Sequence, residues 1–181
     1  MNDRGEIKRS YILLLLACYI ILLVWVIVFK CNQNFELHID KNLAMPLWER
    51  FTARLIPFKD VYVSLVTQNV GDILAIIFNV ICLLPMGIFL SFFVSKRCGI
   101  LLSLSFVVAI EVFQLFSGWG GFDPTDIFLN VLGTYLGFKI FDALYLKITA
   151  RNINRISGTL IIPTVFLTVF ACISTVLNFP V

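Results

Sequence analysis

Glu111, Gln114, Asp126 and Asn130 are polar side chains set at or inside the ends of two strongly apolar segments, with Asp123 just ahead of the second. A carboxyl group can bind a cation, carry a proton or act as a general acid or base. A carboxamide offers a donor and an acceptor that orient a polar ligand. An ionisable group in hydrocarbon costs roughly 2.5–3.5 kcal/mol on insertion scales, so it marks a functional site by default. Glu111 is the clearest case, because no Lys or Arg lies within a helical turn of it. Asp72, Asp126 and Asn79 have structural explanations too. The two aspartates stand at expected helix starts, where a carboxylate satisfies free amides, and Asn79 can bond helix to helix.

Apolar helices must position these residues. The chain has 181 residues and is 60% hydrophobic but only 14% charged. A soluble domain carries about 25% charged residues. A membrane-crossing helix needs about 20 residues, and five segments qualify: 11–29, 72–95, 99–117, 126–147 and 157–177. The expected fold is therefore an all-α integral membrane protein of about five transmembrane helices. The first run, Tyr11–Phe29, is longer than a signal-peptide apolar region and lacks a small-residue cleavage site, so it reads as a retained helix. The chain divides into an N-terminal segment (1–10), a first span (11–29), a loop (30–71), a core of three spans (72–147), and a fifth span with its tail (148–181). Ser95-Lys-Arg-Cys-Gly99 is the expected turn between spans two and three. The Gly/Pro-rich stretch 117–125 separates spans three and four, with Asp123 or Thr125 as the cap.

Lys and Arg placement orients the chain. Arg4, Lys8, Arg9, Lys96, Arg97, Lys147, Arg151 and Arg155 share one side. The cations of the first loop are diluted by Glu36, Asp40, Glu49 and Asp60. The N-terminus is expected in the cytoplasm and the C-terminus outside. At about 1.5 Å per residue, Asn79 then lies roughly 10 Å below the outer surface, Glu111 roughly 9 Å, Asn130 roughly 6 Å and Gln114 roughly 5 Å. All of them fall in the outer leaflet. Gly133 and Gly137 extend the Asp126–Asn130 stripe and allow close helix packing. Pro85 and Gly87 are expected to kink the second span and open space near the site. In the first loop, Leu47, Phe51 and Leu55 recur at helical spacing beside Trp48, with Glu49, Arg50 and Arg54 largely on other faces. An extracellular amphipathic helix ending at Pro57 and a packed loop both fit this pattern.

Several function classes find no support. The net charge of +3 is spread out, with no basic stripe for nucleic acid. The five cysteines form no CxxC and their number is odd, so neither a disulfide framework nor zinc is expected. His38 is the only histidine, and no metal or other cofactor is expected. Asp123 and Asp126 could hold a cation but fit helix capping better. Lys139 and Asp142 read as a structural pair. No nucleophile motif or P-loop is present.

The order Asn79, Pro85, Gly87; Glu111, Gln114; Asp123, Asp126, Asn130, Gly133, Gly137 resembles the VanZ-like family of small bacterial membrane proteins. Arg54-Leu-Ile-Pro57-Phe58 is similar to that family's N-L-I-P-F. The family usually has an Arg shortly before the first Asp of its D-x-x-D motif, where this chain has Trp119-Gly-Gly-Phe122. The resemblance implies a multi-pass protein of the bacterial cell membrane, associated with low-level resistance to teicoplanin and related lipoglycopeptides. It supplies no reaction. Three mechanisms fit the residues. The first is an outer-leaflet pocket for a lipid, a lipid-linked wall precursor or the antibiotic itself, with Glu111 and Asp126 binding or gating and Asn79, Gln114 and Asn130 orienting. The second is an enzyme acting on a lipid-linked precursor, with Glu111 as acid and Asp126 as base. The third is a proton-coupled lipid transporter using Glu111, although no internal repeat supports it.

Overall fold

The computed structural model describes residues 7–29, 45–52, 54–117, 121–145 and 147–178, without the side chains of 26–29, 72, 75 and 170–178. His38 and the side chain of Asp72 lie outside the described residues. The described residues form helices and no strands: α1 (Arg9–Phe29), α2 (Leu47–Thr52), α3 (Lys59–Val66), α4 (Val70–Leu90), α5 (Lys96–Ser117), α6 (Pro124–Tyr145) and α7 (Ala150–Asn178). The five long ones coincide with the five apolar segments. By length and composition, α5 and α6 are each able to cross a membrane. The described apolar runs in α1 and α4 are shorter, Arg9–Trp25 and Ile76–Leu90.

The chain forms two compact units, Met1–Lys30 with Lys139–Val181, and Cys31–Phe138. In the first, α1 packs on α7. Ile12, Leu15, Leu16 and Leu23 are buried there, with Cys18 as a small apolar neighbour. The Lys8 N–H donates to Asn154 Oδ1 at 2.7 Å. Pro163 lies inside the continuous helix α7.

The second unit holds α2 to α5 and most of α6. Each helix start has a local cause. Asn69 accepts the Gly71 N–H at 3.1 Å and opens α4. The Ser91 N–H and hydroxyl both bond the Gly87 carbonyl, and α4 ends at Leu90, earlier than 95. Ser95 then stands ahead of α5, its hydroxyl accepting the Cys98 N–H at 3.5 Å. The stretch 96–99, expected as a turn, is therefore the first turn of a helix.

Glycines set the closest approach in this unit. A Cβ on Gly133 would overlap the Val80 carbonyl oxygen, one on Gly137 that of Leu84, and one on Gly87 that of Thr134. Helices α4 and α6 therefore meet backbone to backbone. Gly87 closes this gap instead of opening space, because the α6 backbone fills the room its missing side chain leaves. Leu83, Val107 and Phe138 are buried in the same core, and Ser103 and Thr134, both fully buried, share a 2.7 Å hydrogen bond between α5 and α6.

The first-loop segment differs from a single surface helix. Helix α2 stops at Thr52, before Pro57, and a second helix, α3, follows at Lys59. Phe58 between them has φ 60°, a left-handed backbone that a bulky residue adopts only when its surroundings hold it there. Trp48, Ile56, Tyr62 and Val66 are exposed along this stretch.

Candidate functional site

Helix α6 begins with Asp123 as cap and Pro124 at the first helical position, where a missing N–H costs nothing. Asp123 Oδ1 accepts the Thr125 N–H at 2.8 Å, and the Asp123 carbonyl accepts from Ile127. Asp126 adds a second carboxylate in the first turn, at the positive end of the helix dipole. The two residues thus share a location but differ in partner. Asp123 caps its own helix, whereas Asp126 reaches across to α4.

Two cross-helix hydrogen bonds converge on this turn. Glu111, only 3% exposed, accepts the Asp123 backbone N–H through Oε2 at 3.0 Å. Asn79 of α4 donates through Nδ2 to Asp126 Oδ1 at 2.5 Å. The last turns of α5, the first turn of α6 and the first half of α4 are therefore tied together by polar side chains. Gln114 is half-buried one turn above Glu111 on α5. Asn130 lies one turn beyond Asp126, 5% exposed, and its Oδ1 has no hydrogen-bond partner. A buried acceptor left without a donor costs about 1–3 kcal/mol.

The first-loop segment supplies residues that sequence reasoning missed. The Thr125 hydroxyl accepts the Phe58 N–H at 2.9 Å, and the Phe58 ring meets Phe128 edge-on at 5.2 Å. Phe51 packs on Phe122 at 5.4 Å. Arg50 is buried, and its Nη1 donates to the Leu115 carbonyl at 2.8 Å. That carbonyl belongs to the last turn of α5, where acceptors lack helical partners and the dipole favours a cation. Leu115 is also one turn from Glu111 along α5. A signal for Arg50 existed. Leu47, Arg50 and Phe51 are spaced i, i+3, i+4, which puts the arginine on the apolar face of α2.

Chemically, these residues form a polar, largely buried site with carboxyl, carboxamide and guanidinium groups drawn from four helices. Glu111, Asp123, Asp126 and Asn79 are mutually linked through α6; Arg50, Thr125 and Phe58 close the side toward α2.

Comparison with known proteins adds three findings. A family model described as VanZ/LLP1 matches residues 16–146. Protein VanZ of Enterococcus faecium is 26% identical over 146 residues, covering 78% of this chain and 80% of that protein. No solved structure matches the chain.

Proposed function

The chain belongs to the VanZ/LLP1 family, and from that premise we propose that it is a multi-pass protein of the cell membrane with an outer-leaflet polar site for a lipid or lipid-linked headgroup. Occupying that site changes how teicoplanin and related lipoglycopeptides meet the cell surface. The apolar helices and the family are consistent with a membrane protein. The excess of Lys and Arg on one side puts the start of α6 outside. The observation that carries the reading is the convergence on that start: Glu111 holds the Asp123 backbone and Asn79 holds Asp126. In this reading Glu111 and Asp126 bind or gate, Asn79, Gln114 and Asn130 orient the headgroup, and Gly133 and Gly137 keep α4 and α6 in register.

The test is teicoplanin susceptibility of a sensitive host expressing wild type, Glu111→Gln or Asp126→Asn at matched membrane abundance. Wild type raises the inhibitory concentration, and Glu111→Gln returns it to that of the host. Full protection by both variants would show that the polar cluster only holds the fold together.

A further inference from the structure

The site contains a fixed positive charge with unspent bonding capacity. Arg50 is 8% exposed, so its guanidinium is removed from most of the water that would otherwise solvate it. A buried guanidinium is tolerated only where partners replace that water. One partner is present, the Leu115 carbonyl on Nη1. The Nε–H is buried and has none. Nε lies on the edge of the guanidinium that it shares with Nη2, away from Nη1. That edge forms the two-pronged donor matching two oxygens of one anionic group.

One oxygen of each of two carboxyls near α6's first turn is engaged by a backbone amide. Glu111 Oε2 accepts from the Asp123 amide and Asp123 Oδ1 from the Thr125 amide. The arginine's own backbone is also held in place. Its carbonyl oxygen lies 3.2 Å from where a Cβ on Gly121 would stand, so the chain beyond α5 runs close against α2.

We infer that Arg50 is the anion-recognising residue of this site, its Nε edge receiving a phosphoryl group. The source is either a lipid headgroup or free phosphate, and both offer the same pair of oxygens. This deepens the reading proposed above and rests on it. The ligand bridges α2 and the end of α5, and Arg50 takes part in binding as well as capping α5.

The experiment follows thermal unfolding of the purified full chain in dodecyl maltoside by its helical circular dichroism. The probes are phosphatidylglycerol, diacylglycerol with the same acyl chains, and inorganic phosphate. A ligand that binds only the folded state raises the midpoint in proportion to its occupancy. Phosphatidylglycerol raises the wild-type midpoint saturably and diacylglycerol does not. Arg50→Lys keeps the charge and the stem but loses the Nε–H. It weakens the phosphatidylglycerol response by about tenfold or more in concentration, a loss of about 1.4 kcal/mol. Arg50→Gln weakens it at least as much, and Arg97→Gln, on an exposed arginine, leaves it unchanged. Protection by inorganic phosphate that Arg50→Lys abolishes supports the anion site and assigns a soluble source. Equal effects of phosphatidylglycerol and diacylglycerol on wild type overturn the inference, and that comparison decides alone if neither Arg50 variant folds. A wild-type response in folded Arg50→Lys overturns it too. If Glu111→Gln still loses teicoplanin protection in that case, the site reading survives and only the role of Arg50 falls. Full protection by Glu111→Gln and Asp126→Asn would remove the site reading itself.

Discussion

Replacing Gly133 by Ala should destabilise the protein, although Ala is the better helix former. In an isolated helix the exchange gains about 0.8–1.0 kcal/mol. Here the new Cβ overlaps the Val80 carbonyl oxygen and lies 3.0 Å from the Val80 carbonyl carbon and 3.2 Å from its Cα. These are backbone atoms and cannot rotate away. Restoring the roughly 3.5 Å of an ordinary contact parts α4 from α6 by more than about 1 Å, which forfeits about half or more of each dispersion contact along the seam. Forced overpacking of this kind costs about 1–3 kcal/mol. Asn79 adjoins Val80, so its bond to Asp126 stretches as well, at about 1 kcal/mol. The net loss is about 1–3 kcal/mol. Gly158→Ala is the matched control, because its Cβ would find the Tyr11 ring at 3.6 Å, an ordinary contact. It should raise stability by up to about 1 kcal/mol. Thermal unfolding in detergent reads both. Gly133→Ala unfolding at or above the wild-type temperature, with Gly158→Ala shifted upward, would refute the backbone-to-backbone contact.

Two further expectations follow from buried and exposed groups. Thr134→Val leaves the Ser103 hydroxyl without its 2.7 Å partner in a fully buried position and should cost about 1–3 kcal/mol. Adding Ser103→Ala should recover part of that loss, and strictly additive costs in the double-mutant cycle would rule out the coupling. Cys98 is exposed at the start of α5 while Cys18 is buried. In a variant keeping only Cys98, a membrane-impermeant maleimide should label inverted vesicles and spare intact cells; labelling of intact cells would reverse the orientation and remove the site from the outer leaflet.

Helix positions were legible because an apolar run of about 20 residues has few other folded solutions. The cap of α6 was legible as Asp123 or Thr125, and the Asp123 carboxylate on the Thr125 amide decides between them. Details decided between elements were harder to read. Ser91 and Ser95 moved the α4–α5 turn by contacts that hydropathy does not weigh. The expected opening near Gly87 failed because a glycine's missing side chain is equally an invitation to a neighbouring backbone, and α6 took the space. Arg50 was set largely on another face than Leu47, Phe51 and Leu55, although its i, i+3 spacing from Leu47 places it beside them. What no local pattern reveals is its partner, the Leu115 carbonyl 65 positions away. The bond between Phe58 and Thr125 escaped notice likewise, since it spans distant parts of the chain.

The glycine seam between α4 and α6 has a mechanical consequence. At Gly87, Gly133 and Gly137 no side chain stands between the two backbones, so these contacts have no rotamers to rearrange. The opposite side, carrying Arg50, Phe51 and Phe58, is fastened by separate hydrogen bonds and ring contacts of about 1 kcal/mol apiece, each able to release by itself. The two sides therefore differ in how they can give: the seam fixes the spacing of Asn79 and Asp126, and the contacts of the opposite side can break one at a time.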